Sequence, residues 1–140
     1  MKDREIEVIA KKENLISVMD MLDSYLNELD FPLPAHMKLG VAVDELYSNV
    51  CNYAYEGVDE TTPHTITVAI ERVENGVKIT FTDHGIPYNP LEKEDPDIHV
   101  PLAERQVGGL GIFIVKKTMD LVEYKRENNC NIICIYKYTS

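Results

Sequence analysis

At 140 residues the chain is long enough to bury one core, and 44% hydrophobic residues exclude a disordered segment. A formal net charge of −10 argues against general nucleic-acid binding, which needs Lys and Arg to displace counterions. No run of about 18 apolar residues is present, so no membrane span is expected, and the charged start Met1-Lys2-Asp3-Arg4-Glu5 does not read as a secretory signal.

Residues 4–10 alternate Ile6 and Val8 with charged neighbours, which predicts an edge strand. Asn14 stands where a helix cap would, and Leu15, Val18, Met19, Leu22, Tyr25, Leu26 and Leu29 recur at helical spacing. Phe31-Pro32-Leu33-Pro34 breaks that helix. Pro34 then lies near the start of a second helix, which passes through Leu39, Val43, Leu46, Val50 and Tyr53 to about residue 55, with Gly57 as its stop. Residues 65–72 are β-rich, Glu74-Asn75-Gly76 is a hairpin turn, and residues 77–82 are the partner strand. From 86 to 107 four prolines, a cluster of acids and little periodicity predict a long surface loop, either a lid or a disordered segment. Gly111 opens an apolar helix to about residue 121. Residues 124–126, a turn at Glu127-Asn128-Asn129 and residues 131–138 form a closing hairpin. With no internal repeat, the layout is a single domain over residues 1–140. It is α+β in class, a two-layer α/β sandwich whose mixed, mostly antiparallel sheet carries helices on one face.

Three clusters carry chemistry. Glu45, Asn49 and Asn52 fall at i, i+4 and i+7 and so share a helix face. An amide oxygen at Asn49 can ligate Mg²⁺, which takes hard oxygen ligands, and Glu45 can accept a proton from a water or a hydroxyl. Asp83-x-Gly85 follows a strand. A carboxylate there can accept a hydrogen bond from the adenine amino group, and Gly85 leaves room for a base to lie against the backbone. Gly108-Gly109-x-Gly111 leads into a helix, where exposed amides attract phosphate and glycines permit close approach. Each cluster alone is equally an ordinary device: a solvated helix face, a strand-ending turn, a hinge before a buried helix. The glycines are not a dinucleotide fingerprint, because Ile114 holds the final position, and no Gly-Lys-Ser or Gly-Lys-Thr makes a P-loop. An anionic ligand on an acidic chain needs local cations, and Arg105, Lys116 and Lys117 flank the glycines.

Other features are quieter. His36, His64, His84 and His99 lack metal spacing. Cys51, Cys130 and Cys134 are an odd set without zinc-ribbon spacing, and Cys130 and Cys134 face the same side of a strand. They are read as buried free thiols in a reducing cytosol.

In this order the clusters resemble the GHKL ATPases over nearly the whole chain, and within them the small anti-sigma-factor serine kinases of the RsbW and SpoIIAB type. Glu45-x-x-x-Asn49 with Ala54-Tyr55 looks like their N-box. Asp83-x-Gly85-x-Pro87-Tyr88-x-Pro90 is similar to their Asp-x-Gly-x-Pro-Phe-Asp-Pro run, and Gly109-x-Gly111-Ile112 to their second glycine box. The resemblance implies a Bergerat fold, ATP with Mg²⁺, a cytoplasmic homodimer, and phosphorylation of a serine on a STAS-type anti-sigma-factor antagonist, with a sigma factor as a further partner. It gives Glu45 the general-base role, Asn49 the Mg²⁺ role and Asp83 the adenine role. Gly85, Gly108, Gly109 and Gly111 shape the pocket, and Arg105 matches a lid arginine. Tyr53 stands where the family often has His, and Asn89 where it often has Asp. Two other readings remain beside the kinase. One is an ATP-gated protein-binding module with little or no kinase activity. The other is a detached histidine-kinase catalytic domain, which would need a phospho-acceptor His on a preceding helix hairpin.

Overall fold

The computed structural model describes residues 2–59, 61–92 and 109–139. Strand β1 (Arg4–Ile9) leads through a short 3-10 turn (Lys12–Asn14) into helices α1 (Leu15–Glu28) and α2 (Leu33–Asn49). The hairpin β2 (Thr65–Val73) and β3 (Gly76–Asp83) follows. Helix α3 (Gly109–Thr118) then precedes β4 (Leu121–Glu127) and β5 (Cys130–Tyr138). The five strands form one sheet in the order β1-β2-β3-β5-β4. Every ladder is antiparallel, where the sequence reading anticipated some parallel pairing. The β2–β3 and β4–β5 pairs are hairpins, and the two helices α1 and α2 together return the chain so that β2 runs against β1.

Period-two alternation sets the layers. Along β3, Val77, Ile79, Phe81 and Asp83 are buried, and Lys78, Thr80 and Thr82 between them are half-exposed. The buried set meets Ile66, Val68 and Ile70 of β2, and Ile133 and Ile135 of β5. Against that sheet face pack Leu22 and Leu26 of α1, Leu39, Val43, Leu46 and Tyr47 of α2, and Ile112 and Val115 of α3. All three helices therefore lie on one face, as expected from the sequence. Cys130 and Cys134 do share a side, but it is the outer face of β5. All three cysteines are free and half-exposed rather than buried. Among the described residues no helix is long and apolar enough to cross a membrane.

Several local expectations shift. Asn14 has helical backbone angles and no capping bond; its side-chain amide donates to the Ile9 carbonyl instead (2.9 Å). The 3-10 turn ahead of α1 already supplies helical geometry there, so no extended cap residue is needed. Helix α2 ends at Asn49 and widens into a π-helical turn, Val50–Ala54, before Gly57 closes it at φ +75°. That wide turn leaves Asn52 exposed, outside the α-helical register it was read in. Helix α3 opens at Gly109 and stops at Thr118, because Leu121 already pairs with Tyr136 in the sheet. The β4–β5 turn is tighter than read: Asn128 and Asn129 both take positive φ (53° and 61°), the geometry a two-residue hairpin loop requires.

Candidate nucleotide site

The end of β3 and the start of β5 make the first corner of the site. Asp83 pairs with Asn131 in the sheet register, and both side chains point toward the helices. Asp83 Oδ1 accepts hydrogen bonds from the Gly85 backbone N–H and from Asn131 Nδ2, both at 2.9 Å. Among the described residues nothing bonds Asp83 Oδ2, so one carboxylate oxygen is held rigidly and the other remains available as an acceptor. Burial pushes the Asp83 carboxyl above its ordinary range. The Asn131 and Gly85 bonds oppose this, as do the nearby charges of Arg126 and His84.

Asn131 was not singled out from the sequence, yet it organises this corner. Only 2% exposed, it uses every valence. Its amide N–H groups donate to Asp83 Oδ1 and to the Ile86 carbonyl (2.7 Å). Its oxygen accepts from the Tyr124 hydroxyl (2.6 Å) and the Tyr88 backbone N–H (3.2 Å). One signal was visible in the chain: Asn131 is the polar member of an otherwise apolar inward set with Ile133 and Ile135. Arg126 adds a further brace, donating to the Gly85 carbonyl (2.8 Å).

Gly85 is required by the end of the π-helical turn. A Cβ there would lie 2.0 Å from the Ala54 carbonyl oxygen, and the next residue, Ile86, donates its N–H to that same oxygen (2.8 Å). The space Gly85 leaves is therefore taken by backbone, where the sequence reading gave it to the base. The Tyr55 hydroxyl strengthens the join, donating to Thr65 O (2.5 Å) and accepting from His84 N–H (2.9 Å).

The second corner lies between α2 and α3. Asn49 is buried, and its Nδ2 donates to the Glu45 carbonyl one turn earlier (2.9 Å). That bond fixes the amide so that Oδ1 faces away from the helix backbone, where the Tyr88 hydroxyl approaches it at 3.4 Å. The Glu45 carboxylate rests on the first turn of α3. A Cβ added to Gly111 would sit 1.9 Å from Glu45 Oε2, so the glycine makes room for the carboxylate. Carboxylate and helix N-terminus attract each other, because the first-turn amides carry partial positive charge.

Not every expected residue joins this arrangement. Gly109 begins α3, two residues ahead of the Gly111 start expected from the sequence. Gly108, Arg105 and residues 93–107 of the loop expected over 86–107 lie outside the described residues; its described part ends in a short 3-10 turn, Pro90–Glu92. Lys116 and Lys117 do not flank the phosphate end. They occupy the last turn of α3, roughly 10 Å along the axis from its start, and Lys117 lies over the Phe113 ring (5.4 Å). Helical rise separates residues that look adjacent in sequence.

The donor set fits a magnesium nucleotide. Among the described residues no three His, Cys, Asp or Glu side chains gather into a metal site. A single fixed amide oxygen suits a cation whose other ligands are phosphates and water. The open oxygen of Asp83 suits an exocyclic amine, and the α3 N-terminus suits phosphate.

A buried acid at a strand end, a polar pair on the covering helix and a glycine-opened helix make up the candidate nucleotide site. The chain belongs to the histidine kinase-like ATPase domain family, whose model matches residues 8–137. It is 27% identical over 124 residues to an anti-sigma F factor of Clostridium perfringens, covering 89% of this chain and 86% of that protein. It is also 27% identical over 128 residues to the serine-protein kinase RsbW of Halalkalibacterium halodurans, covering 89% and 76%. Its fold matches the crystal structure of the RsbU and RsbW domains of Rv1364c from Mycobacterium tuberculosis at a TM-score of 0.65 and 12% identity. That match covers 96% of this chain and 32% of the larger one.

Proposed function

We propose that this chain is a serine kinase of a partner-switching circuit: it binds Mg-ATP and phosphorylates a serine of a STAS-type anti-sigma-factor antagonist. The observation that carries the reading is the position of Glu45. Its carboxylate lies at the N-terminus of α3, one helical turn from the Asn49 amide oxygen. Asp83 Oδ2 receives the adenine amino group, while the bonds from Gly85 and Asn131 to Oδ1 hold the carboxylate in place. Asn49 contributes Oδ1 to Mg²⁺, which draws charge from the phosphates when bound. Gly109 opens the first turn of α3, whose amides receive the phosphates, and Gly111 makes room for the Glu45 carboxylate beside them.

Glu45 orients the serine hydroxyl and takes its proton as the serine oxygen bonds to the γ-phosphorus. The bond from that phosphorus to the β–γ bridging oxygen breaks, and ADP leaves. Positioning and charge stabilisation dominate such transfers, which suits a site where Glu45 is placed to orient the hydroxyl. The protein works as a cytoplasmic homodimer, and a sigma factor is a further partner that it holds when the antagonist is phosphorylated.

The test is transfer of labelled γ-phosphate from ATP to candidate antagonist proteins encoded near this one. The kinase reading expects label on a serine of a protein that also binds this chain. Binding of a partner with ATP present, but no transfer to it, refutes the kinase and leaves an ATP-gated binding module.

A further inference from the structure

Tyr88 touches both corners of the site. Its backbone N–H donates to Asn131 Oδ1 (3.2 Å), on the amide whose Nδ2 braces Asp83. Its hydroxyl points at Asn49 Oδ1 (3.4 Å). The ring stacks on Tyr53 of the π-helical turn, with centroids 5.5 Å apart and planes 29° apart. The next residue, Asn89, turns the chain by accepting the Leu91 N–H on its own side chain (2.9 Å). Backbone anchor, ring stack and following turn together set where the hydroxyl lies.

The consequence concerns the cation. Asn49 Nδ2 is committed to the Glu45 carbonyl, so Oδ1 is the one side-chain atom of Asn49 that can reach a metal. A dication at that oxygen repels the hydroxyl proton now directed at it. We propose that Tyr88 is a positioning residue for Asn49. Its hydroxyl holds the amide oxygen in the nucleotide-free protein and has to release it to Mg²⁺, so Tyr88 reduces how much the cation adds to ATP affinity. The inference rests on the reading of Asn49 as the Mg²⁺ ligand. At 3.4 Å the contact is long, and an effect at the low end of one neutral hydrogen bond is expected.

Tyr88→Phe removes the hydroxyl but keeps the stacked ring and the backbone bond to Asn131. ATP binding is measured by calorimetry in Mg²⁺ and in EDTA, for wild type and variant. The expected result is a Mg²⁺-to-EDTA affinity ratio about two- to fivefold higher in Tyr88→Phe, with EDTA affinity and melting temperature unchanged. Tyr53→Leu frees the Tyr88 ring to swing away and raises the ratio in the same direction. A ratio in Tyr88→Phe equal to or below that of wild type overturns the inference alone. A change confined to EDTA affinity does the same. A wild type with no Mg²⁺ dependence overturns the metal role of Asn49, and this inference with it.

Discussion

The two corners of the site are built differently. At the Asp83 corner, Gly85, Asn131, Tyr124, Tyr55 and Arg126 link three strands and the residue after the π-helical turn in a continuous hydrogen-bonded network. At the Glu45 corner, among the described residues, the carboxylate has no hydrogen-bond partner, and Asn49 Oδ1 is met only at 3.4 Å. A preformed corner can select a base by geometry alone, because its donors and acceptors are fixed before the ligand arrives. On the proposed function, the looser corner would be completed by the ligand and its metal, with discrimination at one end and chemistry at the other.

The largest expected effect breaks the looser corner. Glu45→Ala lowers phosphate transfer by about 10²–10⁴-fold, the usual contribution of a positioned general base, and leaves ATP affinity in place by calorimetry. Gly111→Ala sharpens the same point without replacing the carboxylate. The new Cβ collides with a side chain, not with backbone, so Glu45 shifts while the fold survives. Transfer falls about 10²-fold, the cost of a displacement near 1 Å, with little change in melting temperature.

The base corner responds in binding. Asp83→Asn keeps an acceptor for Gly85 and Asn131 but puts a donor where Oδ2 faces adenine. ATP affinity drops by about 1.5–3 kcal/mol, and the preference for ATP over GTP, measured by paired titrations, disappears. Its effect on stability has the opposite sign. Burial raises the Asp83 carboxyl, so the folded state resists its charge. That contribution favours folding below the ordinary carboxylate range and is lost as pH rises through the raised value. Asp83→Asn therefore melts higher than wild type at pH 7 by differential scanning calorimetry. The same raised value makes wild-type ATP affinity fall on acidification earlier than an ordinary aspartate would, while circular dichroism still reports a folded chain. Smallest is Gly85→Ala, whose Cβ meets the Ala54 carbonyl. Relieving that backbone contact costs about 1–3 kcal/mol in urea unfolding.

Much of this was legible in the chain. Hydrophobic period identified all three helices and five strands, and Glu45 and Asn49 lie on one helix, which Tyr88 links to the Asp83 corner. Features that depend on pairing or on three-dimensional rise were not. Asn131 acquires its role only through its register with Asp83. The π-helical turn that exposes Asn52 has no composition signal, because Val50, Cys51 and Tyr53 continue the apolar spacing of α2. Lys116 and Lys117 looked like phosphate cations because they follow the glycines closely, and the axis of α3 carries them to its far end.

Hydrogen exchange with and without Mg-ATP tests the contrast between the corners most directly. The account predicts that amides of Gly85, Ile86 and Tyr88 are already protected in the free protein and change little. Those in the first turn of α3 gain strong protection when Mg-ATP binds. Rapid exchange at the Asp83 corner in the free protein, with protection appearing there only on binding, would contradict it.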